Sequence, residues 1–159
     1  MGIRANELRN QVIRPVLQRL HRWSPVMENL LMGTAAQASE LGHLIKQGRA
    51  LGLFGIEKET HQDVWDRYLA HHPDDASMVR GFASQREFLA EPELELISNM
   101  AYSTAIAWAI YESNEAKYPV EADDLEALAL CWYRYYPRQN ITESPSDFIE
   151  RYRTLVKDT

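Results

Sequence analysis

The residues with the greatest chemical potential in this chain fall between positions 33 and 61. A first block, Gly33-Thr34-Ala35-Ala36-Gln37-Ala38-Ser39-Glu40-Leu41-Gly42, closes an apolar run with one hydroxyl and one carboxylate. A second, Ala50-Leu51-Gly52-Leu53-Phe54-Gly55-Ile56-Glu57-Lys58-Glu59-Thr60-His61, follows a glycine-bearing stretch. A carboxyl group there could move a proton to or from a reacting oxygen, given burial against apolar side chains. Other candidates have simpler accounts. His71, His72, Asp74 and Asp75 are metal-ligand types, but adjacent histidines point apart on a helix, and a solvated helix end explains them. Cys131, beside Trp132 in an apolar stretch, reads as a buried inert thiol. Trp132, Tyr133, Tyr135 and Tyr136 read as core (132, 136) and amphipathic surface (133, 135), with sugar stacking as the functional alternative. Asn140-Ile141-Thr142 fits a glycosylation acceptor, which means nothing without a secretory route.

The elements that must position these residues are helical throughout. Leu8, Val12, Ile13, Val16, Leu17 and Leu20 recur at helical spacing, and Pro15 predicts a kink or division. Ser24-Pro25 is an N-cap followed by proline, opening a helix that should stop at Gly42. Residues 43–59 read as loop, and Thr60-His61-Gln62-Asp63 as a capping box that opens the next helix. A short helix through Met78, Val79 and Phe82 follows. Glu91-Pro92 starts one long helix, apolar nearly all round through Ile110, and therefore the expected core helix. After Pro119, Leu125 to Tyr136 form a one-faced helix, and Ser144-Pro145-Ser146-Asp147 caps the last. No segment alternates with period two long enough to make a strand. The expectation is an all-α fold of about seven helices in a single domain over residues 1–159, with 1–22 as an N-terminal helical arm.

The chain has 159 residues, 45% hydrophobic and 25% charged, a globular composition with enough length to bury a core. No apolar run approaches the roughly 20 residues of a spanning helix. Residues 1–22 lack an apolar signal-peptide region, which predicts synthesis in the cytosol. The formal net charge of −6 is spread along the chain, against nucleic-acid binding by a basic face and too dilute for a nucleic-acid mimic. One cysteine excludes an intrachain disulfide.

Gly33–Gln37, Leu41-Gly42, Ala50–Phe54, Ile56-Glu57, Thr60-His61, Asp63-Val64-Trp65 and Tyr68-Leu69 together resemble phage proteins of the lysozyme-like soluble lytic transglycosylase family. Asn99-Met100-Ala101-Tyr102, Trp132–Tyr136 and Asp147-Phe148-Ile149 resemble the same group. In that pattern a helix ends in Glu-Ser, and Gly-Leu-x-Gln and Pro-x-Thr follow a loop. The resemblance implies a glutamic acid that protonates the glycosidic oxygen and then acts as base. It makes residues 23–69 the motif region and Ser39, Gly52, Leu53, Gly55, Ile56 and His61 its cleft residues, with Asn99 and Tyr102 on a second wall. The motif is degenerate here. Ala38 stands before Ser39 where the acid belongs, fourteen positions ahead of Gly52; Gly55 replaces the glutamine and Lys58 the proline. Glu40 is two positions along, and on a helix that turns it roughly 200° away from the face of Ala38.

The resemblance therefore implies a phage-derived domain that has lost catalysis and serves as a virion-associated structural or binding protein. Its expected partners are other virion proteins or peptidoglycan glycan strands, with no nucleic acid, membrane span, metal or cofactor. The alternative is an active peptidoglycan lytic enzyme that uses Glu40, Glu57 or Glu59 during genome delivery. A third class is a host-directed inhibitor. Three departures in one motif favour natural decay over a single engineered substitution.

Overall fold

The computed structural model describes residues 2–138, 140–157 and 159. It is all-α apart from one minimal hairpin. The chain opens with α1 (Ala5–Leu8), a π-helical turn (Arg9–Ile13) and α2 (Arg14–Arg19), which run on as one rod. The proline expected to kink or divide this helix lies just past the π turn, which itself divides the α-helical hydrogen bonding. In the π turn the Arg14 N–H bonds back to the Arg9 carbonyl, and Pro15, which has no N–H to offer, sits in the turn that follows. Nor is this segment an arm: Leu8, Ile13, Val16, Leu17 and Leu20 are all in the core.

Helix α3 (Pro25–Ser39) starts as its sequence dictates, with Ser24 Oγ accepting the Met27 N–H at 3.0 Å. It stops three residues before the expected Gly42. Glu40, Leu41 and Gly42 take successive left-handed conformations (φ 51°, 56° and 87°), so the chain leaves the helix axis at Glu40. Ser39 secures this exit. Its buried hydroxyl donates to the Leu53 carbonyl at 2.6 Å and accepts the Gly42 N–H at 2.9 Å.

The stretch expected to be loop contains the hairpin, β1 (Lys46–Gln47) against β2 (Ala50–Leu51), extended by an isolated bridge from Leu51 to Ile56. Two-residue strands are too short to leave a period-two signature. Helix α4 (Lys58–Arg67) begins before the expected cap. Glu57 holds the N-cap position without a side-chain bond, and Thr60 lies inside the first turn. A 3-10 turn (Leu69–His71) leads to α5 (Pro73–Arg80), and α6 (Gln85–Ala90) precedes α7 (Pro92–Ser98).

The expected long helix is divided at Asn99. That residue ends α7 and caps α8 (Met100–Ser113), its Oδ1 accepting the Tyr102 N–H at 3.0 Å. Residues 102–111 of α8 are all buried, as an all-round apolar helix requires. Helices α9 (Leu125–Tyr135) and α10 (Pro145–Leu155) complete the fold, α10 under a Ser144–Asp147 capping box. The buried apolar residues form one cluster. Two contacts show how tightly its centre is drawn. A Cβ on Gly33 of α3 would lie 2.2 Å from Cζ of Phe148 in α10, so only glycine admits that ring. Thr34 Oγ1 meets Tyr111 Oη at 2.7 Å, which ties α3 to α8.

Candidate functional site

An open cleft of about 710 Å³ lies at the C-terminal end of α3. Its floor is the residues that the sequence pattern singles out. Ala38 and Gly55 both line it, and a Cβ built on Gly55 would stand 3.1 Å from the Ala38 Cβ. The early end of α3 and the positive φ of Gly55 (59°) let the second turn of the 50–56 segment settle onto the helix end. Gln37, Glu40, Leu44, Gln47 and Phe54 continue this wall. The opposite wall comes from the end of α9 and its following segment, including Tyr136, Arg138 and Glu143, and from Asp147, Glu150 and Arg151 of α10.

The placement of Glu40 corrects the helical-wheel expectation. That argument assumed 100° per residue through position 40, but the left-handed conformation there swings the chain round. Glu40 consequently lines the same cleft as Ala38, with its carboxylate 3.0 Å from an Arg151 guanidinium nitrogen. A half-exposed, ion-paired carboxylate is not the apolar setting that a proton-donating acid needs. Glu57 and Glu59 do not line the cleft; they reach Arg49 at 3.7 and 3.2 Å.

Of the other expected cleft residues, only Gly55 lines the cavity. Ser39 is spent on the helix exit. Leu53 and Ile56 are buried core residues behind the floor. Gly52 (φ 76°) faces α7 instead of the cleft: a Cβ there would fall 1.7 Å from the Leu96 carbonyl oxygen. His61 and Tyr102 are buried together, away from the cleft. Trp65 Nε1–H donates to Tyr102 Oη at 2.9 Å, which leaves the tyrosine hydrogen for His61 Nε2 at 2.6 Å. Burial lowers the His61 pKa to about 4 and raises that of Tyr102, so both stay neutral; the Glu93 carboxylate opposes the histidine shift without reversing it. Asn99 is spoken for as well, its amide donating to the Phe82 carbonyl and to Glu95. The expected second wall is thus structural, with Tyr102 buried and Asn99 partly exposed at a separate cavity, because polar residues on a helix face can serve a cap or a core as readily as a cleft.

The aromatic cluster divides as its spacing implies. Trp132 and Tyr136 are buried, and Tyr136 Oη–H is committed to the Phe54 carbonyl at 2.7 Å, whereas Tyr133 is exposed beneath the Arg138 guanidinium. What sequence reasoning missed is the polar character of the far wall. Asp147, Glu150 and Arg151 stand three and four residues apart on α10, a spacing that puts them on one face. Glu143 meets the Gln37 amide, whose Nε2 donates to it at 2.9 Å. The ionisable lining is four carboxylates (Glu40, Glu143, Asp147, Glu150) against two guanidiniums (Arg138, Arg151).

Among the described residues no group of histidine, cysteine and carboxylate side chains is arranged to hold a metal, and no helix is long and apolar enough to cross a membrane. Comparison with protein-family models, curated proteins and solved structures gives no match to this chain.

Proposed function

We propose that this is a lysozyme-like helical domain that has lost lytic chemistry and retains its cleft as a binding surface, in a virion-associated structural or glycan-holding role. The observation that carries the reading is the contact of Ala38 with Gly55 on the cleft floor. Those are the two positions at which the resembled motif would set its acid and its amide. Two positions chosen from a sequence pattern, seventeen residues apart, meet in space at this cleft. Alanine carries no proton, and general acid–base catalysis is commonly worth about 10²–10⁴-fold in rate.

The test is release of soluble fragments from purified peptidoglycan, followed by turbidity and by chromatography of the products. The wild-type protein should release none above background while still co-sedimenting with the insoluble wall or with virion proteins. Clearing at the rate of an active lysozyme would overturn the proposal. The A38E/G55Q double variant should gain measurable release if the cleft retains its shape.

A second reading has one observation behind it: Glu40 lines the cleft, so a carboxylate is present a short distance along the chain from the vacated position. On that reading the protein is an active lytic enzyme and Glu40→Gln abolishes lysis. Its ion pair with Arg151 favours the pseudoenzyme.

A further inference from the structure

Helix α9 carries apolar residues on two faces, and the core uses one of them. Leu128, Ala129, Cys131 and Trp132 are buried on the side that packs against α3 and α10. Leu130 and Tyr133 lie on the other side, 43% and 39% exposed. Helical spacing sets Glu126, Ala127 and Arg134 on that same outer face, since each is three or four residues from Leu130. Glu126 and Arg134 are both exposed, and neither makes a side-chain hydrogen bond or ion pair with a described residue. They stand one turn to either side of Leu130, roughly 12 Å apart along the axis, too far to pair with each other. An acid in the first turn and a base in the last suit the helix dipole. The dipole does not account for a leucine and a tyrosine left in water between them. The Tyr133 ring is also already held, with the Arg138 guanidinium 4.2 Å from its centroid, so docking it costs little side-chain freedom.

Turned about a twofold axis through Leu130, this face complements itself. In the antiparallel alignment Leu130 meets its own copy, and Glu126 of each chain lies opposite Arg134 of the other. The Tyr133 ring of each chain covers the small Ala127 of the other, large against small. A parallel alignment in the same register would set glutamate on glutamate and arginine on arginine. We propose that the outer face of α9 is a self-association surface, on which a second copy of this chain docks antiparallel with Leu130 on the twofold axis. Two ion pairs and a central apolar contact define it. Five residues a side is far fewer than the roughly 20–30 of a standard interface, so the dimer is a weak one that forms where copies are crowded together. It is independent of what the cleft holds.

The experiment is sedimentation equilibrium of the full chain at low salt, from about 10 μM to about 1 mM, where a small interface becomes populated. Wild-type protein should fit a monomer–dimer equilibrium with a Kd on the order of 100 μM. Glu126→Arg or Arg134→Glu alone places like charges opposite each other at both symmetric contacts and should weaken the dimer about tenfold. The double variant E126R/R134E exchanges the two charges and should return to within about threefold of wild type, a rescue that lost folding cannot produce. Thermal unfolding of each variant reports its fold. Oxidation of concentrated Leu130→Cys protein should trap a disulfide dimer, because the two thiols meet on the axis, whereas Glu126→Cys, set opposite position 134, should not. A chain that stays monomeric at about 1 mM overturns the proposal. So does a dimer indifferent to both charge reversals, a double variant no tighter than the single ones, or equal crosslinking at positions 126 and 130.

Discussion

Acidification should weaken the fold through one buried side chain, His61. The ring is 2% exposed and accepts the Tyr102 hydroxyl hydrogen at Nε2. A proton on that nitrogen would face an oxygen already accepting from Trp65, and the tyrosine hydrogen would lose its acceptor. Burial lowers the His61 pKa from 6.5 to about 4. The unfolded chain therefore takes up a proton first as the pH falls. Stability from the neutral ring is complete above 6.5, declines between 6.5 and 4, and levels off below. Across pH 7.5 to 4.5 the loss is about 2.5 kcal/mol. With a urea dependence of roughly 1–3 kcal/mol per molar, the unfolding midpoint should drop by roughly 0.8–2.5 M. Urea titrations followed by tryptophan fluorescence at one-unit pH intervals measure this directly. His61→Gln keeps an acceptor for Tyr102 but cannot titrate. It should start less stable than wild type and lose less than a third as much between pH 7.5 and 4.5. Parallel pH profiles for the two proteins would refute the reasoning.

A second acid-sensitive group acts at lower pH. Burial works to raise the Glu28 pKa, but hydrogen bonds from Arg14, Trp23 and Arg9 outweigh it and hold the value below 4.5. Its contribution is present above 4.5 and disappears as pH falls through the folded value. Glu28→Gln should cost about 3–5 kcal/mol at neutral pH, since it leaves Arg9 buried without its anion, and should flatten the acid limb of the stability curve below pH 4.5. Gly52→Ala forces a Cβ onto the Leu96 carbonyl oxygen at a positive φ. It should lower the thermal midpoint by more than 10 °C or prevent folding, whereas Gly48→Ala, at an exposed turn, should be far milder. Cys131 is buried with its thiol pushed up to about 11 by desolvation. Native protein should resist a thiol reagent at pH 8 over an hour and react within minutes in denaturant.

Much of the fold was legible because its signals are local. Ser24-Pro25 and Ser144-Pro145 mark helix starts through an oxygen and a fixed φ, and both act where they stand. Helical spacing identified the interior faces of α8 and α9. The errors share a physical cause: a side chain can serve an element other than its own. Asn99 splits a continuous apolar pattern because its carbonyl caps α8 while its amide is held by Phe82 and Glu95. Pro15 was tolerated because a π turn precedes it. Glu40 reached the cleft because three residues in a row are left-handed, and only one of them is glycine. The cleft floor could be inferred from a motif. Its far wall could not, since Glu143 meets Gln37 only after the chain has folded back over 106 residues.

The contact between positions 38 and 55 also constrains how the missing groups could return. Gly55 holds φ at 59°, a conformation that costs a branched or long side chain about 1–2 kcal/mol. A Cβ there would stand 3.1 Å from the alanine methyl, closer than ordinary van der Waals contact. A glutamine at 55 therefore needs the 50–56 turn to lift from the helix end. A glutamate at 38 needs room above the same floor, where the turn now sits. Either restoration alone is strained by the close seating of the turn on the helix end, and the movement that relieves one relieves the other. The two substitutions in A38E/G55Q should thus be coupled, with the double variant more stable than the sum of the single effects. The two small residues are one structural unit, a loop seated directly on a helix end. The chemistry absent from this cleft is absent at a contact, not at a point.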